Sequence, residues 1–319
     1  MTAPHEMANE VVRPTIDARV AQPPAWLTAL PGLEHASAVP LGHEFLELSL
    51  ARGAGASRLE VSFAGVRDMD ILTFQQAVSE AYRAIFTQIA ALPTPHPVRF
   101  WALVPNIHED LGAGLDRYQA FNAGRFAAYS AQYGGRESFG RSVAAGSAVG
   151  IGGDRLYLHC LASACPGVPV ENPRQIPAYR YSRRFGPLPP CFARAMALPE
   201  GPWGGDLLLV GGTASIRGEV SLHEGDVRSQ TLETLSNLAS LVRSAAGHGE
   251  GDDDELLPWL GCFRELRVYR PRVEDTEAIL ELLTPAFTGV RQIEVLEADL
   301  CRPELLVEIE GVVRFKAAS

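Results

Sequence analysis

Apolar residues recur at every second position over 43–50 (HEFLELSL) and 57–65 (SRLEVSFAG), and form a compact run over 98–105 (VRFWALVP). Each predicts a strand. Between the last two, the spacing lengthens to three and four: Phe74, Val78, Tyr82, Ile85 and Ile89 share one face of a helix over 72–92. A second helix is predicted at 115–134, closed by Gly134–Gly135, followed by strands at 147–153 and 155–163. Beyond a proline-rich stretch the order begins again. A strand at 206–216 ends in a glycine turn, and Asp226 caps a helix over 225–245 with Leu232, Leu235, Leu238 and Leu241 on one stripe. A strand at 263–271, a helix at 273–287 and strands at 291–298 and 305–314 complete the chain. The repeated order predicts an α/β (α+β) fold of two related halves, each a mixed sheet with helices on one face. The boundaries expected are a flexible arm over 1–35, an N-terminal half over 36–165, a connecting segment over 166–189 and a C-terminal half over 190–319.

The last strand breaks the usual pattern. Its alternation places Val307, Ile309, Gly311 and Val313 on one face and Leu306, Glu308, Glu310 and Val312 on the other. Two carboxylates bracketed by hydrophobes make either a water-facing edge or a pocket wall. In the second case desolvation favours the neutral acid and raises its pKa, as a general acid at neutral pH requires.

Composition narrows the field. At 319 residues, 46% hydrophobic and 21% charged, with no apolar run near the ~20 residues of a membrane span, the chain reads as an ordinary globular protein. A net charge of −10 argues against nucleic acid or an anionic membrane as partner. The N-terminus lacks the pattern of a signal peptide, and five irregularly spaced cysteines (160, 165, 191, 262, 301) read as reduced thiols in a cytoplasmic protein. One segment runs against the acidic balance: 172–196 carries Arg174, Arg180, Arg183, Arg184 and Arg194 and no acid at all. Those guanidinium groups either bind a small anion or pair with acids elsewhere.

Cofactor chemistry finds no support. GIGGD (150–154) and VGGTAS (210–215) match neither a dinucleotide fingerprint nor a phosphate loop and read as structural turns. The eight histidines form no metal motif, HCLASAC (159–165) reads as core thiols, and there is no nucleophile elbow. No metal and no organic cofactor is expected.

From residue 190 onward, PPCFARA, LLLVGGTASIRGEV, DVRSQTLETLSNLASLV, LRVYRPRVEDTEAILELLTPAF and LCRPELLVEIEG follow one another in the order of the RidA/YjgF family, which the chain resembles there. The resemblance implies chorismate-mutase-like halves. Over 98–311 the segments RFWALVPNIH, RYQAFNAGRFAAYS, SAVGIGGDRL, VENPRQIPAYRYSRRFGP, GGTASIRGE and ADLCRPELLVEIEG are similar to chorismatases. That family removes the enolpyruvyl group of chorismate as pyruvate, leaving 3-hydroxybenzoate, 4-hydroxybenzoate with it, or a trans-dihydrodiol. The carboxylate arginine of RidA deaminases is displaced here, Arg291 being offset by two residues, which shifts carboxylate recognition to 174–194. By this resemblance Glu308 is the proton donor and Glu310 has a structural or pKa-tuning role. Tyr179, Tyr181, Arg184 and Arg194 are the candidates to bind the substrate's carboxylates. Cys301 is associated with the benzoate-forming subtypes, and Ala214 occupies the other position at which subtypes differ. The alternatives are the dihydrodiol-forming hydrolase, and an imine deaminase or ligand-binding relative. RidA proteins are trimers; a chain holding two such halves is expected to be a monomer, with a trimer as the alternative.

Overall fold

A computed structural model describes residues 15–17, 22–30, 32–41, 44–198, 206–249, 251 and 253–315. Two sheets face one another, and helices cover the outer side of each. The first sheet has six strands in the order Ser37–Val39, Glu47–Arg52, Ala56–Ala64, Arg155–Ser163, His96–Pro105, Ala145–Ile151. The second has seven: Thr15–Asp17, Gln292–Glu297, Phe263–Arg270, Glu308–Arg314, Leu207–Ala214, Ala195–Leu198, Val168–Val170. In the first, His96–Pro105 runs parallel to Ala145–Ile151 and antiparallel to Arg155–Ser163. In the second, Phe263–Arg270 runs parallel to Gln292–Glu297 and antiparallel to Glu308–Arg314. Apart from the added edge strand Thr15–Asp17, the same strand order with the same mixture of directions thus occurs twice among the described residues.

The helices form where the periodicity placed them. Helix Ile71–Ala90 is capped by Asp70, whose carboxylate accepts from the Thr73 N–H, and it buries Phe74, Val78, Tyr82, Ile85 and Ile89. Helix Arg117–Tyr133 opens on a capping box between Asp116 and Gln119 and stops at Gly134, where φ is 84°. Asp226 caps helix Val227–Ala245. Its apolar stripe differs from the expected one: Leu235, Leu238 and Leu241 are buried, but Leu232 is 53% exposed. The face is completed instead by Gln230, Thr234 and Asn237, all fully buried. Among the described residues no helix is long and apolar enough to cross a membrane.

Two further differences bear on the site. The expected glycine turn after 206–216 is not a turn: strand Leu207–Ala214 runs straight through Gly211 and Gly212, with a bulge between Val210 and Thr213. Nor is the described part of 1–35 a loose arm. Leu27 and Leu33 are fully buried, the Leu33 carbonyl accepts from the Arg58 guanidinium, and the Ala25 N–H donates to Glu294. Proline-rich composition gave that segment no periodicity, yet the seam between the two sheets gives its leucines cover.

Candidate active site

The two sheets do not meet through hydrophobes alone. Strand Glu308–Arg314 is central in its sheet, and Ile309 and Val313 point outward into the helix-covered core. Glu308 and Glu310 therefore point inward, 5% and 3% exposed. Glu310 is satisfied from the opposite sheet. Arg99 Nη2 donates to its Oε2 at 2.7 Å, Trp101 Nε1 donates to its Oε1 at 2.7 Å, and the Ser147 hydroxyl donates to Oε2. Ser147 in turn accepts from Arg99 (2.6 Å) and from the Gly212 N–H (2.8 Å). The arrangement is a fully buried ion pair in which both carboxylate oxygens accept hydrogen bonds, the condition under which such a pair is tolerated.

Glu308 stands one pleat away and opens onto a cavity. Burial, first, and the neighbouring Glu310 charge, second, push its pKa up to about 8, against the lesser pull of Arg99 and Arg194. The group is accordingly a carboxylic acid at neutral pH. Its space exists because position 212 is glycine: a Cβ there would fall 2.0 Å from Glu308 Oε1 and 3.0 Å from Ser147 Oγ. At Gly211 a Cβ would fall 2.8 Å from the Gly146 carbonyl oxygen, so the paired glycines let the two sheets approach.

The cavity brings Tyr181, Arg194, Ala214 and Cys301 together with Glu308. Arg194 Nη2 donates to the Tyr181 hydroxyl at 2.6 Å, and its Nε has no hydrogen-bond partner among the described residues. Cys301 is pushed up to about 12 by burial and by Glu308, so it presents a neutral thiol rather than a thiolate. Tyr179 and Arg184 do not reach this space. Short 3₁₀ turns at Ala178–Arg180 and Arg183–Phe185 aim neighbouring side chains in different directions. Tyr179 is directed at Gly140, and Arg184 is exposed with its guanidinium over the Phe185 ring. Arg174 takes the other course foreseen for the basic segment and pairs with Glu233 at 2.8 Å. Arg291 is exposed and outside the cavity.

Sequence reasoning missed Tyr118, Arg125, Ser147, Phe192, Phe185 and Arg302, all of which line the cavity. Arg125 is 2% exposed and lies over Phe121 at 5.2 Å and Phe192 at 5.7 Å. Arg302 lies 3.8 Å over Phe185 and donates to the Glu219 carbonyl and the Ser221 hydroxyl. A signal for Arg125 was present in the run FNAGRFAAY, where an arginine interrupts a face otherwise made of small and aromatic residues. Nothing local marked Arg302.

Three guanidinium groups held against aromatic faces around one neutral carboxyl give the cavity the chemistry to hold an anion beside a proton donor. Known proteins carry the same arrangement of chain. The model of the N-terminal domain of FkbO/Hyg5-like chorismatases matches residues 54–162. A 3-hydroxybenzoate synthase of Streptomyces hygroscopicus is 34% identical over 251 residues, covering 75% of this chain and 70% of its own. A chorismatase of Streptomyces rapamycinicus is 33% identical over 243 residues, with the same two coverages. A crystal structure of a chorismatase superposes with a TM-score of 0.71 at 27% identity, over 83% of this chain and 77% of that one. The chain belongs to the chorismatase family of enzymes.

Proposed function

We propose that the protein cleaves chorismate with release of pyruvate and forms 3-hydroxybenzoate, alone or with 4-hydroxybenzoate. The observation that carries this reading is the neutral Glu308 carboxyl facing a cavity ringed by Arg125, Arg194 and Arg302. Chorismate has two carboxylates and an acid-labile enol ether. Bidentate guanidinium contacts orient it, and Glu308 transfers its proton to the vinyl methylene carbon. The ether bond to the ring then breaks, its electrons completing the keto group of pyruvate, and the ring sheds a proton to become aromatic. The Glu308 carboxylate left behind, within the field of Arg99 and Arg194, can take a proton back. Acid catalysis of this kind contributes ~10²–10⁴-fold, and positioning supplies much of the rest. Glu310 serves Glu308 by repelling its anion. The five thiols suit a reducing cytoplasmic setting.

Incubation with chorismate, with pyruvate followed through lactate dehydrogenase and the aromatic product identified by chromatography, tests reaction and subtype together. Absence of pyruvate would sink the reading, and turnover of 2-aminoacrylate in its place would favour the imine-deaminase alternative.

Two substitutions probe the cavity wall. Gly212→Ala is expected to slow pyruvate release at least tenfold with a small loss of thermal stability, because the new methyl displaces the Glu308 carboxyl rather than the backbone. Cys301→Ala is expected to change the ratio of aromatic products while pyruvate release persists. An unaltered ratio would remove Cys301 from any part in product choice.

A further inference from the structure

The inward face of helix Val227–Ala245 is polar where an apolar stripe would hold it more cheaply. Gln230 and Asn237 are fully buried, and the Glu233 side chain is 11% exposed. Their spacing of three and four residues aligns them on one face. A buried amide with all its hydrogen bonds made fixes its partners more narrowly than hydrophobic contact does, and it is costly if left unmet.

Two of the partners, Ala214 and Ile216, line the cavity. Asn237 Nδ2 donates to the Ala214 carbonyl at 3.0 Å and to the Ile216 carbonyl at 2.9 Å, bridging the bend at Ser215. Its Oδ1 accepts from Arg174 Nε at 2.9 Å, and its backbone carbonyl accepts from the Asn172 amide at 2.9 Å. Seven residues earlier, Gln230 Oε1 accepts from the Leu306 N–H at 2.8 Å. Gln230 Nε2 donates to the carbonyls of Glu304 (2.8 Å) and His223 (3.2 Å). One helix face therefore grips both the Ala214–Ile216 wall and the chain that enters the Glu308 strand. Across the sheet, Ala214 and Glu308 are direct partners in register. The two amides lie about 10 Å apart on a rigid rod.

We propose that Gln230 and Asn237 are positioning residues: together they fix the Glu308 carboxyl against the Ala214–Ile216 wall, and so set both the rate of proton transfer and the partition among products. The inference rests on the chorismate reading above.

The test uses the full chain and its Asn237→Ala, Gln230→Ala and Gln230→Glu variants. Melting temperatures are recorded so that rates are compared only where each is folded. A misplacement of about 1 Å can cost ~10²-fold. Each variant is expected to lower kcat for pyruvate release ten- to a hundredfold, with KM within about threefold, and to alter the product ratio. Gln230→Glu adds a readout that loss of packing would not give. Its neutral carboxyl can accept from Leu306 and donate to Glu304, whereas its anion can only accept. Its deficit should therefore shrink as pH falls from 8 to 6, while that of Gln230→Ala stays constant. The titratable residues whose backbone or helical turn meets Gln230 are His223, Asp226, Glu233 and Glu304. Folded variants with kcat and product ratio within twofold of the parent overturn the inference. Should Asn237→Ala fail to fold, Gln230→Glu, nearly the shape of the parent, decides alone. A parent that releases no pyruvate overturns the functional reading and takes this inference with it; an active parent with indifferent variants overturns the inference only.

Discussion

Exchanging Glu308 for glutamine is expected to abolish pyruvate release from chorismate and, at the same time, to stabilise the protein at neutral and alkaline pH. The loss of activity should be at least ~10³-fold, since the amide keeps the shape and has no proton to give. The gain in stability follows from the same raised pKa. Between the ordinary carboxyl value of 4.5 and the folded value of about 8, the folded protein holds a proton that the unfolded chain has released. Folding stability therefore falls as pH rises through that window, by up to about 1.4 kcal/mol per pH unit. Glutamine does not titrate. The variant should match the parent below pH 4.5, pull ahead through the window and hold a constant advantage above it. Thermal unfolding across pH 4–9 reads this directly, and parallel melting curves for the two proteins would show that Glu308 is not held neutral. In the parent, activity should decline as pH passes about 8 and the acid empties.

The second large effect is expected at the charge beneath it. Glu310→Gln leaves the Arg99 guanidinium, 1% exposed, without its counter-charge. Breaking a buried pair from one side costs roughly 3–5 kcal/mol. An amide nitrogen would also face one of the three donors, Arg99, Trp101 and Ser147, that Glu310 now accepts. Where the variant still folds, Glu308 loses the repulsion that helps to keep it protonated and retains the attraction of Arg99. The alkaline limb of its pH–rate profile should move to lower pH. Removing both charges in Arg99→Leu/Glu310→Leu should cost less stability than removing Glu310 alone. Should the single exchange prove as stable as the parent, the ion pair does not hold the sheets together.

Why some of this was legible in the chain and some was not has a physical basis. The helix over 71–90 and the paired acids at 308 and 310 follow from periods of 3.6 and 2.0, which are local properties of backbone geometry. The twofold recurrence of the strand order was legible for the same reason. Leu232 misled because a stripe extended at three-residue steps drifts off the buried face of a 100°-per-residue helix, and buried amides took its place. Tyr179 and Arg184 misled because adjacency in sequence says nothing about direction within 3₁₀ turns. Arg125 and Arg302 come from distant stretches and acquire meaning only beside Phe192 and Phe185. The reason for Gly212 lay 96 residues away, in a carboxyl oxygen that no local pattern could locate.

The ion pair also says something about how the two halves depend on one another. Arg99, Trp101 and Ser147 come from one half of the chain, and Glu310 from the other. Their contact is that of two partners in a complex, yet a covalent tether joins them at a fixed effective concentration. Dilution, which dissolves a site shared between separate subunits, cannot part these two. A half expressed alone would expose either an orphaned guanidinium or an orphaned carboxylate at its centre, so neither half is a free-standing scaffold for the acid it helps to hold.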